Sequence, residues 1–552
     1  MSDQGDGSKL DRRTFVGASL AAGAALLGAP PSAAATPSSS AHLSQMILPG
    51  GAQQPDEVLS RSVAELSAMM QRGALTSRDL THRCIARIAQ MEASVALNAV
   101  IELNPDALAI ADQRDAERKS GAAVGPLHGI PVLVKDNIGS ADKMRTTAGS
   151  LALADSTPAR DAFIIERLRA AGAVLLGKTN LSEWANFRST HSVSGWSGRG
   201  GLTRNPYVLN RNTSGSSSGT GAAMAATYAP LGIGSETDGS IISPSSINGL
   251  VGIKPTVGLW GRSGIIPISS SQDTAGPMAR SVADAAALLG PLTGVDPRDA
   301  ATNPSRGRSV ASYLSFLDAG GLKGARIGVA RTLAGFNDAV DERFNEAIAA
   351  LKNAGAIIVD PVKLATLGKF DDAEGTVLDY EFKAGINAYL ASLGSASPMK
   401  SLADLIAFNE REKAREMPWF GQETFVRAQK CGPLTDKKYV DARAKCVRLA
   451  RTEGIDATMS KHLLDAIILP SNAPAWTTDV LNGDHFTGGN SSFAAVSGYP
   501  SITVPMGLVG ECPVGLSFIA KAWEEGKLIK FAYAFEQATK LRREPKYLPS
   551  FP

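Results

Sequence analysis

Three short segments of the chain hold residue types that could do covalent chemistry without a cofactor. The first, Gly129-Ile130-Pro131-Val132-Leu133-Val134-Lys135-Asp136-Asn137, places a lysine at the end of a fully apolar run. Burial disfavours a charged ammonium, so Lys135 is either a strand-end residue pairing with Asp136 or a desolvated, neutral base. The second, Thr213-Ser214-Gly215-Ser216-Ser217-Ser218-Gly219-Thr220-Gly221-Ala222-Ala223, is a run of hydroxyls and glycines. It passes straight into alanine-rich helix formers, which makes it a tight loop opening a helix and not a flexible linker. The third, Gly234-Ser235-Glu236-Thr237-Asp238-Gly239-Ser240-Ile241, sets a serine on a Gly-flanked turn. Successive N–H groups of such a turn can point at one spot, the geometry an oxyanion hole needs. Asp238, taken alone, reads as a turn residue bonding its own backbone.

The elements that must position these residues follow from hydrophobic pattern. Buried strands are expected at 130–134 and 173–176, and by the same pattern at 327–330, 356–359 and 466–469. Helical spacing occupies 159–171, 282–290 and 340–353 between them. Runs apolar on both faces and separated by helices argue for a sheet covered on both sides, hence an α/β class. Nearer the start, Ser62-Val63-Ala64-Glu65 is a capping box with Gly73 just past the helix end. A second helix carries Leu80, Cys84, Ile85 and Ile88 on one face. Residues 363–460 are mostly helical and polar, an insertion over the scaffold that carries no recognisable motif.

The remaining composition narrows the setting. The formal net charge is only +3, spread along the chain with no basic run, which points away from a nucleic-acid partner. Leu10-Asp11-Arg12-Arg13-Thr14-Phe15-Val16, an Ala/Gly-rich stretch to Leu27 and Ala33-Ala34-Ala35 resemble a twin-arginine export signal over residues 1–35. The stretch is too short and too Ala/Gly-rich to span a bilayer of about 30 Å, and no other run is long enough, so no membrane span is expected in the mature protein. Residues 36–54 form an expected tether, followed by one domain over 55–552. Of the four cysteines, Cys84 and Cys512 read as small buried hydrophobes, whereas Cys431 and Cys446 are near enough to bridge or to stay free. The six histidines lack metal-ligand spacing.

Taken together, the three segments resemble the amidase signature family: a lysine after an apolar strand, a Gly/Ser-rich loop, then a Gly-Gly-Ser-Ile turn. In that family the nucleophile lies 24 residues after the bridging serine, and here 240 − 216 = 24. The similarity continues through Ile253-Lys254-Pro255-Thr256, Ser271-Gln272-Asp273-Thr274 and Gly498-Tyr499-Pro500-Ser501, with a signature core at about 126–290. It is nearest to the bacterial peptide amidases, through Glu236-Thr237-Asp238-Gly239-Ser240, Ser194-Gly195-Trp196 and Arg204-Asn205-Pro206-Tyr207. The resemblance implies a single large α/β domain with a mixed, many-stranded sheet covered by helices on both faces. It implies Ser240 as nucleophile, Ser216 as proton relay after a cis peptide bond to Gly215, and Lys135 as general base. The amides of Thr237, Asp238, Gly239 and Ser240 would hold the oxyanion. The implied reaction is hydrolysis of a small-molecule or peptide amide, C-terminal peptide amides first, with no metal or organic cofactor. The sequence departs from the usual pattern at Glu236, Asp238 and Ile242, where Asp, Gly and Arg are common; Ile242 removes a cation that could hold a substrate carboxylate.

Other readings of the same residues compete. Gly215-Ser216-Ser217-Ser218-Gly219 satisfies the esterase elbow GxSxG, which would make Ser217 the nucleophile with His462 or His485 as base. Ser140-Ala141-Asp142-Lys143 matches S-x-x-K without its companion motifs. A general aryl or aliphatic amidase and a transamidation subunit use the same triad, and the export signal speaks against the last.

Overall fold

The structure, a computed structural model, describes residues 56–122 and 125–551; the expected leader and tether lie outside the described residues. Eleven strands form one sheet. In chain order they are β1 (Val100–Leu103), β2 (Pro131–Lys135), β3 (Val174–Thr179), β4 (Leu231–Glu236), β5 (Val251–Lys254) and β6 (Thr274–Ala279). The second half adds β7 (Arg326–Val329), β8 (Ile357–Val359), β9 (Ala466–Pro470), β10 (Ser501–Val509) and β11 (Cys512–Ile519). Across the sheet the order is β1-β3-β2-β4-β6-β5-β10-β11-β9-β7-β8. β2 runs parallel to both β3 and β4, while β4, β6 and β5 alternate antiparallel, so the sheet is mixed.

In the central strands both alternating sets of side chains are buried, which requires cover on both faces. The expectation of a buried strand at 356–359 fails in part. Strand β8 is the last in the order, has one neighbour, and leaves Ile357 46% exposed. The helix expected at 159–171 is shorter, Phe163–Ala170, whereas those near 282 and 340 form at Val282–Leu289 and Asp338–Asn353. The capping box forms as read: Glu65 accepts from the Ser62 N–H at 2.8 Å, and Ser62 Oγ accepts from the Glu65 N–H at 3.3 Å. Among the described residues no helix is long and apolar enough to cross a membrane.

The 363–460 segment is helical, built on Asp371–Ser392, Leu402–Arg411, Glu423–Gln429 and Lys437–Val447. It packs on the signature segments through a core of its own, where Phe382, Ile386 and Phe425 meet Leu181, Trp184, Ile266 and Ile268. Trp184 meets Phe425 edge-on at 5.7 Å between ring centroids. A buried ion pair completes this junction: Arg188 and Glu183 approach to 2.7 Å with both side chains 0% exposed. The Arg188 guanidinium also donates to the carbonyl of Glu416 and lies over the Phe420 ring at 4.3 Å from its centroid.

Removing Arg188 would leave the Glu183 carboxylate buried without its partner. Arg188→Ala is therefore expected to cost about 3–5 kcal/mol, and an apolar pair at both positions to restore most of it. Urea unfolding measures this; an unchanged midpoint for Arg188→Ala would contradict the assignment.

Candidate active site

Sheet register brings the three sequence segments together. Val134 of β2 pairs with Ile233 of β4, so Lys135 and Ser235 lie at adjacent strand ends. The Gly/Ser loop then crosses these ends and opens the helix Ser218–Ala225. Gly219 makes that approach possible, since a Cβ there would meet the carbonyl oxygens of Ala99 and Asn180 at 2.4 Å each. The Ser217 hydroxyl is committed to β4, donating to the Ser235 carbonyl at 3.0 Å and accepting its N–H at 3.2 Å. It is held in the backbone frame, which removes the elbow reading.

Lys135 is fully buried and does not pair with Asp136, which corrects the strand-end alternative. Its Nζ donates to Ser216 Oγ at 2.7 Å, to Ser235 Oγ at 3.0 Å and to the Ser235 carbonyl at 3.1 Å. Asp136 instead accepts from Thr147 and faces Arg199 at 3.6 Å. Asn137 Nδ2 donates to Ser235 Oγ at 2.8 Å and fixes the second acceptor of the lysine. The Gly215–Ser216 peptide bond is cis. The Ser217 N–H donates to the Ser240 carbonyl at 3.2 Å, which seats the loop against the third segment.

The turn Thr237–Ser240 follows β4. Gly239 has φ +82°, and a Cβ there would lie 2.8 Å from Ser491 Oγ, so only glycine fits. Glu236 Oε2 accepts the N–H groups of Ile241 and Ile242 at 2.7 and 2.9 Å and caps the helix Ile242–Ile247. Among the described residues the N–H groups of Thr237, Asp238, Gly239 and Ser240 donate to no protein acceptor. Thr237 Oγ1 donates to Asp273 Oδ1 at 2.6 Å. The expectation that Asp238 bonds its own turn is corrected, because its Oδ2 accepts from Ser492 Oγ at 2.7 Å.

Burial drives the electrostatics. Desolvation pulls Lys135 down to about 7, partly opposed by the charges of Glu236 and Asp273. Burial likewise pushes Asp273 up to about 6. Two cavities meet at this site. One, about 380 Å³, is lined by Ser240, Gly215, Thr237, Asp238 and Gly239 and walled by Leu378, Trp476 and Phe486. The other, about 210 Å³, reaches Ser216 from the side of Asn137, Arg262 and Asp273.

The profile of the Amidase family matches residues 79–529. The chain belongs to the amidase family. A probable amidase of Arabidopsis thaliana is 41% identical over 499 residues, covering 88% of this chain and 91% of that protein. The native peptide amidase of Stenotrophomonas maltophilia superposes with TM-score 0.84 and 52% identity, covering 88% of this chain and 98% of its own. A glutamyl-tRNA(Gln) amidotransferase subunit from Symbiobacterium thermophilum is 33% identical over 501 residues, covering 87% of this chain and 97% of its own.

This amidase, an amide C–N hydrolase, thus brings Lys135, Ser216, Ser240 and the four turn amides to one place. Residues without an assigned role in the sequence reading join them: Ser235 and Asn137, which order the lysine, and Asp273 and Gln272 around Thr237. All four stand inside the motif segments of the chain, but only the sheet register shows what they touch. All four cysteines are free, so Cys431 and Cys446 do not bridge. The Lys143 of the S-x-x-K match is exposed and pairs with Asp106 at 2.7 Å. Labelling of the site by a fluorophosphonate should accelerate as pH rises through about 7, where Lys135 loses its proton, and then level off. Lys135→Met should abolish that rise; pH-independent labelling of the unaltered enzyme would contradict the role of its amine.

Proposed function

We propose that the enzyme hydrolyses C-terminal amides of peptides to the peptide acid and ammonia, through an acyl-enzyme on Ser240. The observation that carries this reading is the buried 2.7 Å bond between Lys135 and Ser216, beside a turn with four uncommitted amides. In neutral Lys135 the direction of that bond reverses: the Ser216 hydroxyl donates to the amine lone pair and can accept the Ser240 proton. Ser240 Oγ attacks the amide carbonyl, and the oxyanion forms against the N–H groups of Thr237, Asp238, Gly239 and Ser240. Ser216 then protonates the leaving nitrogen as the C–N bond breaks, drawing a proton from Lys135. Water, deprotonated along the same relay, cleaves the ester and regenerates Ser240.

The substrate class rests on two supports. The larger cavity is lined by Asp238 and Asp484 with no lysine, arginine or histidine among its described residues, an environment unfavourable to a free carboxylate. Its apolar wall of Leu378, Trp476 and Phe486 suits side chains preceding the scissile amide. The 52% identity to a peptide amidase supports the same substrate. Similarity to one chain of an amidotransferase raises transamidation as the rival, against which the leader segment speaks.

Ammonia release from a panel of peptide amides, benzamide and acetamide, beside p-nitrophenol release from a p-nitrophenyl ester, tests the reading. Peptide amides should turn over fastest, and Ser240→Ala should lose roughly 10⁴–10⁶ in kcat. Preference for benzamide or acetamide would keep the triad and replace the substrate; cleavage of the ester alone would remove the amidase reading. We further propose export through the Arg12-Arg13 leader. Replacing both arginines by lysine should retain the folded enzyme inside the cell, as fractionation would show, and unchanged export would refute the signal.

A further inference from the structure

Behind the amide-bearing turn lies a pair of carboxyl groups that the mechanism above does not use. Asp238 Oδ2 accepts from Ser492, while its Oδ1 is buried with no N–H or hydroxyl donor in bonding geometry. The carboxyl group of Glu374, on the helix Asp371–Ser392, lies within hydrogen-bonding reach of the Asp238 carboxyl group. Glu374 Oε1 accepts from Gln272 Nε2 at 2.8 Å, and the same amide reaches the Thr237 carbonyl at 3.4 Å. Two buried carboxyl groups in contact cannot both ionise, so the pair holds one proton at neutral pH.

The surroundings decide where that proton sits. Asp238 faces Lys254 and the hydroxyls of Ser491 and Ser492, all of which favour its anion, with Glu236 opposing. Glu374 faces Asp371 on its own helix and Cys446 on the helix Lys437–Val447, neither of which stabilises a second anion. The proton therefore belongs to Glu374, which is left as a hydrogen-bond donor to Asp238, whose buried Oδ1 otherwise has none.

We propose that Glu374 is a positioning residue: its carboxyl group donates to Asp238 and clamps the turn Thr237–Ser240 to the helical region. The proposal rests on the reading of that turn as the oxyanion site. Burial and Asp238 hold Glu374 up at about 9, so the clamp is closed below that pH. Above it Glu374 ionises, two carboxylates repel, and the amides lose their alignment. Activity falls as pH rises through about 9. Lys254, held down at about 8 by burial, loses its charge in the same range, so the pH profile must be read in variants at Glu374.

The experiment is the pH dependence of kcat and KM for ammonia release from an N-acetylated dipeptide amide, in the unaltered enzyme, Glu374→Gln and Glu374→Leu. The glutamine amide still donates to Asp238 and cannot ionise. Glu374→Gln is expected to keep kcat at neutral pH within about 3-fold and to lose the alkaline fall. Glu374→Leu is expected to lower kcat roughly 10-fold or more at every pH with KM little changed. An alkaline fall that persists in Glu374→Gln, or is absent from the unaltered enzyme, would overturn the clamp, as would normal kcat in Glu374→Leu. Should Glu374→Leu fail to fold, the profile of Glu374→Gln decides alone. The acid limb near pH 7 reports Lys135 separately. Its absence from the unaltered enzyme would count against the relay and leave the clamp to be judged on the alkaline side.

Discussion

A lysine amine enclosed at the end of a central strand, hydrogen-bonded to Ser216, is the interaction on which the rest of this site depends. Removing an ammonium from water is so unfavourable that the group gives up its proton near neutrality unless charges compensate. Here compensation is partial. Glu236 and Asp273 pull the amine back toward its charged form, burial prevails, and the result is a base poised at about 7. Ser216 and Ser235 supply acceptors for each N–H of the charged form, so the lysine is satisfied in either state.

The turn opposite the lysine meets a different constraint. Four N–H groups must stay uncommitted in the fold while their backbone stays fixed, although unpaired amides ordinarily seek partners. The structure meets this by anchoring everything around them. Glu236 caps the following helix, Asp273 holds the Thr237 hydroxyl, Ser492 holds Asp238, and Gly239 supplies the left-handed backbone that closes the turn. Two of these anchors, Glu236 and Asp273, are carboxyl groups, which places negative charge behind the amides and tempers their pull on an anion. Protonation of one member of the Asp238–Glu374 pair limits that effect.

The helical region 363–460 does more than cover the sheet. It contributes Leu378 to the wall of the larger cavity and Glu374 to the back of the turn, both from the helix Asp371–Ser392. Its attachment through Arg188, Glu183 and the Trp184–Phe425 contact fixes that helix relative to the strands. Small displacements at this junction would reach the amides through Glu374, Gln272 and Asp238.

The sequence by itself determined the α/β class, the central strands, and the three segments that meet at the site, because apolar period and segment order are local properties of the chain. It also determined that Ser240 sits on a Gly-requiring turn. Whether Lys135 pairs with Asp136 or with Ser216 was undecidable from spacing, since both partners satisfy an amine and only the parallel register of β2 and β4 selects one. The exposed edge at Ile357 was hidden for the same reason: strand order is a long-range property. Asp238 read as a self-bonding turn residue because its partners, Ser492 and Glu374, are remote in sequence and lie outside any motif. Side-chain chemistry could be read from one segment at a time, but which groups share a proton depends on distances that only the folded chain sets.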